Sequence, residues 1–437
     1  MANDKGNGRP SDDSLLGLLS DFAAEPADEQ PEAYNSRATL STNEDEPDAD
    51  VWAKLNVDSK GNVRNTINNV LIIMTYDPQW SGRFSYNAFS GSVMLDNTRL
   101  ADTEITGFRI GIGRRYGIEP AKGKVWEVAD LVARSRTFNP LSDYLNSLHW
   151  DGIERNSKWT IRALGADDTP INRVMSRKWC ISAVARALDP GCKLDTVLLL
   201  AGPQGIGKST AFRALSSDEW FSDTEITLGN KDAYMQIREV WIYEMAEMTA
   251  LHKTRKERVK SFLSSSTDNY RVPYGRIVSQ VPRHTVFVAT TNEETPLDDP
   301  TGSRRFWPIA TPGPLDQDWL EENRDQIWAE AVVAFKAGHR WHLDDQEELE
   351  RERVARDFEH VDPWTSHVAS WAEERHEFTI RACLEEALRV PSQRQGREHL
   401  NRIGAVLRRL GYTKRKARRN ETADGSRPWL WFRREKG

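Results

Sequence analysis

The chain has 437 residues, enough for two or three domains with a sizeable buried core in at least one. Its formal charge of −6 conceals two opposed ends: residues 1–50 hold 13 Asp/Glu against 3 Lys/Arg, a net of −10, and residues 401–437 hold 12 Lys/Arg against 3 Asp/Glu, a net of +9. No apolar run approaches the ~20 residues of a spanning helix, no basic segment precedes an apolar core at the N-terminus, and Cys180, Cys192 and Cys383 have no metal-ligand spacing. These features exclude a membrane partner and a disulfide framework. They lead us to expect a cytoplasmic protein whose basic end meets nucleic acid.

Taken in chain order, residues 1–50 read as an acidic disordered tail in which only Ser14–Phe22 offers apolar content. Residues 51–169 read as an α+β N-terminal region. "GRFSYNAFSGSVML" suggests strands about a Gly-Ser turn, and Val125–Arg136 has helical spacing. A helix from Ile171 to Leu188 should stop at Pro190 and Gly191. Residues 170–345 then alternate apolar runs with helical patterns, which predicts an α/β layer arrangement with buried strands at Thr196–Ala201, Glu239–Glu244 and Thr285–Thr291. Helices are expected from Trp319 to Ala337 and from about Gln346 to Phe358. Residues 346–437 read as a helical linker and a small basic domain. There Leu400, Ile403, Leu407 and Leu410 mark a helix capped by Gly411, and two strand-like runs follow in a winged-helix-like pattern.

The most specific signal is "GPQGIGKS", which follows a predicted strand and opens a predicted helix. Gly202, Pro203, Gln204, Gly205, Ile206 and Gly207 would wrap backbone N–H groups around phosphates, with Thr210 in the helix's first turn. Lys208 would reach the β- and γ-phosphates, and the Ser209 hydroxyl would ligate Mg²⁺. ATP and Mg²⁺ are therefore the expected cofactors. "VWIYEMAEM" offers Glu244 at the end of an apolar strand as a second metal ligand and catalytic carboxylate, with Glu247 three residues on. "VFVATTN" ends at Asn292, an amide where ligands gather in open α/β sheets.

Between the acidic strand and the Asn strand lies Lys260–Arg283. Pro273 and Gly275 favour a turn there, and Lys260, Tyr270, Arg271, Tyr274 and Arg276 interleave cations with rings. That mixture suits single-stranded nucleic acid, as does the basic run Lys414, Arg415, Lys416, Arg418 and Arg419, although an exposed amphipathic loop and a solvated basic face would look similar. "PTGSRRFWPI" sets Arg304 and Arg305 in a stiff, bulky frame. They pair either with carboxylates of their own domain or with a phosphate.

The ordered series "RKWCISAVARALDPGCKLDTVLLLAGPQGIGKST", "WFSD", "VWIYEMAEM", "KSFLSSSTDNYRVPYGR", "PRHTVFVATTN" and "DDPTGSRRFWPI" resembles a superfamily 3 helicase, and more closely the virulence-associated protein E family of phages and mobile elements. "NPLSDYLNSLHWDG" extends the similarity upstream, so that it spans roughly Val51 to Ile309. The resemblance implies an AAA+-like P-loop ATPase core, a ring (a hexamer in expectation) with ATP between subunits, and single-stranded or forked DNA in the channel. It implies Gly202–Ser209 as Walker A, Glu244 as the Walker B acid, Asn292 as sensor 1, and Arg304 or Arg305 as an arginine finger acting on the neighbouring subunit. Many superfamily 3 members carry adjacent acids at the strand end, whereas Met245 and Ala246 separate Glu244 from Glu247 here, which leaves the catalytic base open between them. A primase, if one is needed, would be a separate polypeptide. The contrasting expectation is a nucleotide-switched DNA-binding module without unwinding. A packaging motor comes third, because no nuclease-like acidic cluster follows the ATPase region.

Overall fold

The computed structural model describes residues 48–226, 231–246, 256–271, 278–297, 303–358, 362–418 and 427–433. Almost all of the expected acidic tail lies outside these residues. Among the described residues no helix is long and apolar enough to cross a membrane.

The N-terminal region packs helices against a small sheet. The Asp48 carboxylate caps the first turn, α1 (Ala49–Trp52), by accepting from the backbone of Asp50 and Val51. After α2 (Ile67–Tyr76), strands β1 (Phe84–Asn87) and β2 (Ser92–Leu95) pair antiparallel, as the alternating sequence predicts. A short β3 (Thr98–Arg99) and a later β4 (Thr137–Phe138) complete a sheet of order β3-β2-β1-β4. Helices α3 (Asp102–Tyr116) and α4 (Lys122–Arg134) close the core around Phe84, Ile105, Phe108 and Val128. Helix α3 was not legible beforehand, because Gly107, Gly111 and Gly113 lower its propensity. Packing accounts for Gly111: a Cβ there would stand 3.1 Å from the Trp80 ring.

The central domain is a five-stranded parallel sheet of order β11-β5-β10-β7-β6, built from β5 (Val197–Ala201), β6 (Phe221–Ser222), β7 (Ile242–Ala246), β10 (Val286–Thr291) and β11 (Phe306–Ala310). Every residue of β5 and β10 is buried, as a sheet covered on both faces requires. The two-residue period sorts the side chains cleanly. Leu198, Leu200, Ile242, Val286 and Val288 join one cluster with Trp179 of α7 (Pro170–Leu188), Phe212 of α8 (Lys208–Ser216) and Trp328 of α11 (Gln317–Lys336). Val197, Leu199, Tyr243, Phe287 and Ala289 join the opposite cluster with Ile237, Val259 and Phe262. By the same parity Glu244 and Thr290 face α8.

Three expectations need correcting. The acidic strand begins at Ile242, after a 3-10 turn at Ile237–Glu239, and runs to Ala246. Glu244 is therefore a mid-strand residue paired with Val288, and not the strand's end. "FWPI" is a strand as well as a rigid frame. Pro308 is tolerated because β11 lies at the sheet edge, where a missing N–H breaks no inner ladder. The boundaries at 169/170 and 345/346 also cut through packed core. Leu141 and Leu145 of α5 (Pro140–Ser147) and Trp159 and Leu164 of α6 (Trp159–Leu164) belong to the central cluster, and Ala355 of α12 (Asp345–Ala355) packs on its other face. Charge and composition change little at these points, so only burial reveals where the apolar faces go.

The last region has its own core, with Val368, Phe378, Ile403, Leu407 and Trp431 buried together. It runs α13 (Thr365–Glu373), β12 (Glu377–Thr379), α14 (Ile380–Ala382) continued by a π turn at Cys383–Ala387, α15 (Arg397–Arg409), β13 (Tyr412–Lys416) and β14 (Trp429–Arg433). The sheet is antiparallel, of order β12-β14-β13. Gly411 follows α15 at φ +84°, the left-handed conformation expected of a helix-terminating glycine.

Candidate functional site

Strand β5 ends at Ala201 and the loop from Gly202 leads into α8, whose N-cap Gly207 is left-handed at φ +93°. The loop lies close under the segment after β11. A Cβ on Gly202 would meet the Thr311 carbonyl oxygen at 2.1 Å, and one on Gly207 would meet Leu315 Cβ at 2.7 Å. Only glycine lets the backbone take this path. Leu315 also donates its N–H to the Ile206 carbonyl at 2.8 Å, so residues 311–315 brace the loop from one side, while Pro203, Gln204 and Gly205 stay exposed.

Lys208, the first residue of α8, is buried, and its ammonium folds back over the loop. It donates to the carbonyls of Gly202 (2.8 Å) and Pro203 (2.7 Å) and to Asn292 Oδ1 (2.9 Å). All three acceptors are neutral. Burial holds the ammonium below its usual range, with the Glu244 charge opposing that shift. Asn292 reaches Lys208 because β10 lies between β5 and β7 in the sheet, so its end stands beside both the loop and the acidic strand.

Glu244 is 1% exposed. Its Oε1 accepts from Ser209 Oγ at 2.7 Å and from the Thr290 hydroxyl, while its Oε2 is buried with no hydrogen-bond partner. Burial pushes the carboxyl above its usual range, and the two hydroxyl donors pull the other way. A carboxylate oxygen shut from water without a donor costs free energy, so this arrangement fits a group that supplies positive charge to it. Ser209 and Glu244 together offer hard oxygen donors of the kind Mg²⁺ takes. Among the described residues no group of three or more His, Cys, Asp and Glu converges as a protein-only metal cage. Thr290 was missed from the sequence. "ATTN" was read for its Asn alone, and the strand's two-residue period was the available sign that Thr290 would face Glu244.

Arg304 and Arg305 are not brought to this cluster. The parallel register of β11 with β5 sets Phe306 opposite Val197 and Ala310 opposite Ala201, so the arginines lie at the strands' N-terminal ends. The loop lies a full strand away, ~16 Å at 3.3 Å per residue. Arg304 is exposed. Arg305 is largely covered, 3.2 Å from Ser264 Oγ and 3.8 Å from an Asp195 carboxylate oxygen.

After α9 (Lys231–Gln236), the segment Lys260–Arg283 runs from within α10 (Lys256–Leu263) into a hairpin of β8 (Thr267–Arg271) with β9 (Val278–Pro282). Lys260 falls in α10, and Tyr270 and Arg271 fall in β8. Their side chains, with the whole of Tyr274, Arg276, Glu247 and Arg419, lie outside the described residues. The hairpin's base is locked by features the sequence did not announce. Buried Arg283 makes a bidentate ion pair with buried Asp268, donates to the Phe262 carbonyl at 2.5 Å, and lies over the rings of Phe262 and Phe287. Beside it, buried Arg186 donates to the carbonyls of Arg283 (3.0 Å) and Leu194 (2.9 Å).

In the C-terminal region Lys414, Lys416 and Arg418 are exposed, whereas Arg415 is held by Glu377 at 2.8 and 2.5 Å.

No curated protein matches the chain. An apo structure of the C-terminal region of NrS-1 is similar at 13% identity, covering 80% of this chain and 95% of that one with a TM-score of 0.42. The A-form apo structure of the same region is similar at 13% identity over 69% of this chain and 81% of that one, with a TM-score of 0.38. These likenesses are too distant to say what this chain does. Residues 145–360 match the model of the virulence-associated protein E-like domain. That span contains the loop, the acidic strand, the Asn strand and the hairpin.

Proposed function

We propose that the protein is a DNA-dependent ATPase of superfamily 3 type, a helicase or translocase that hydrolyses Mg²⁺·ATP at subunit interfaces of a ring during replication of a phage or mobile element. The observation that carries this reading is the convergence of Lys208, Ser209, Glu244, Thr290 and Asn292 from the loop after β5, from β7 and from the end of β10. The residues divide the work. Backbone N–H groups of residues 204–209, at the loop and the α8 N-terminus, donate to phosphate oxygens, and Lys208 exchanges its neutral acceptors for that charge. Ser209 and Glu244 would hold Mg²⁺, which when bound neutralises developing phosphate charge. Glu244, positioned by Thr290, would polarise the attacking water, and Asn292 would orient that water beside Lys208.

Arg304 and Arg305 stand a strand's length from their own loop, which supports action on a neighbour's site. Exposed Arg304 is the better finger, and Arg305 has a local post at Ser264 and Asp195. An ATPase assay across protein concentration, with and without single-stranded DNA, tests the reading. Turnover should rise cooperatively with protein and be stimulated by DNA, and a DNA-indifferent or inactive protein overturns it. Mixing Lys208→Ala with Arg304→Ala subunits should partly restore turnover, since each supplies what the other lacks. No rescue refutes action in trans.

A second reading is favoured by the basic C-terminal ribbon on a helix–strand–helix–helix–strand–strand unit, a winged-helix order. In it, nucleotide switches a duplex-binding module that does not unwind. Footprinting separates the two, because tight sequence-specific duplex protection with negligible turnover belongs to the switch.

A further inference from the structure

The hairpin of β13 and β14 carries two tryptophans with opposite fates. Trp431 is 2% exposed and packs with Ile403 and Leu407 in the C-terminal core. Trp429, two residues earlier on the same face, is 50% exposed and lies outside that core. The register sets Lys414 opposite Trp431 and Lys416 opposite Trp429, so both lysines share the tryptophans' face. The Lys414 ammonium lies 4.8 Å from the Trp429 ring centroid. Arg415 points to the other face, in its pair with Glu377.

Core packing does not account for Trp429, since Trp431 fills that role. An indole left half in water forgoes part of its burial free energy, unless something covers it. Charge says what. Residues 412–433 hold seven Lys/Arg and two Asp/Glu, so an anionic, flat-faced occupant is favoured. The neighbouring helix is less prepared for it. Arg402 of α15 is committed to Asp362 at 2.7 and 2.9 Å and lies 3.8 Å from the Trp364 ring centroid.

We propose that Trp429, with Lys414 and Lys416, is a stacking platform for unpaired nucleotides. Base faces in a duplex are already stacked on one another, so an indole reads only a base that has come free, while ammonium groups take the flanking phosphates. The ribbon would therefore hold a single strand or the unpaired arm of a fork. This rests on the reading that the protein acts on DNA, and deepens it by naming the strand state that the C-terminal region selects.

Binding of the full chain to a labelled single strand of about 20 nucleotides and to the matching duplex, with and without the Trp429 ring, tests the idea. Trp429→Ala should weaken single-strand binding about 10-fold and leave duplex binding within about 2-fold, and Trp429→Phe should retain most of the affinity because a ring remains. A single strand carrying 5-bromodeoxyuridine should photo-crosslink at Trp429. Equal losses on both substrates, no loss on either, or crosslinks only elsewhere would overturn the proposal. So would a Trp429→Ala protein that binds normally but no longer self-associates in sedimentation, since Trp429 would then be a subunit contact. A wild-type protein that binds neither DNA form overturns the functional reading itself, a result visible before any variant is made.

Discussion

Two buried carboxylates of the central domain, Asp268 and Glu244, are treated in opposite ways. Asp268 at the hairpin base is saturated. Arg283 grips it through two nitrogens, and Phe262 and Phe287 flank the guanidinium. Glu244, in the middle of β7, receives two hydroxyl donors on one oxygen and none on the other. The first arrangement is complete as it stands and rigidifies the hairpin's root. The second leaves one buried acceptor open. Within one fold, the degree to which a buried charge is satisfied separates a strut from a site.

The largest expected effect probes the site. Glu244→Gln should lower ATP turnover by about 10²–10⁴-fold, the range for a lost general base. It should not lower the melting temperature. Burial holds the Glu244 carboxyl above its ordinary value, so the ionised group costs stability at neutral pH and a neutral amide relieves that cost. A clear drop in melting temperature would make Glu244 a strut like Asp268.

The converse variant is next. Asp268→Ala leaves Arg283 buried and unpaired, which should destabilise the fold by about 3–5 kcal/mol in chemical denaturation. Asp268→Ala with unchanged stability would break the contrast from the other side.

A third test uses pH. His284, next to Arg283, is buried against Phe89 with ring centroids 4.3 Å apart, and its Nε2 has no partner. Burial, with the charges of Arg238, Arg186 and Arg283 adding to it, lowers the imidazole from 6.5 to about 4. The unfolded chain therefore takes up the proton first. The stability carried by neutral His284 is present above pH 6.5 and fades as pH falls toward 4, by about 3 kcal/mol in all. Acid denaturation curves of the wild type and His284→Gln should converge over that window, and parallel curves would refute it.

The smallest effect sharpens the site itself. Thr290→Val removes one donor from Glu244 without changing side-chain size. It should cost about tenfold in turnover and raise the Mg²⁺ concentration needed for tight nucleotide binding, while binding in EDTA stays unchanged. Thr290→Ser should restore both. If Val and Ser behave alike, Thr290 is packing only.

The central strands and helices were legible to within a few residues, because apolar periodicity reports burial directly. The glycine-rich loop pattern was legible because its spacing is contiguous. Helix α3 was hidden by its glycines, of which Gly111 answers to the Trp80 ring from elsewhere in the chain. Thr290 and the Asp268–Arg283 pair were hidden for a related reason. Each matters only through a partner 15 or 46 residues away, and nothing local marks the pairing.

Sequence by itself determined the alternation of buried strands and amphipathic helices, the glycine-rich loop with its lysine and serine, and the charge split between the two ends. These are local properties of composition and period. Only the tertiary structure decided that Glu244 would keep one oxygen unpartnered, that Arg304 and Arg305 would stand a strand's length from their own loop, and that Trp429 would remain in water while Trp431 went under. Strand order and register set those outcomes, and both are fixed by contacts between distant segments that no single stretch of chain encodes.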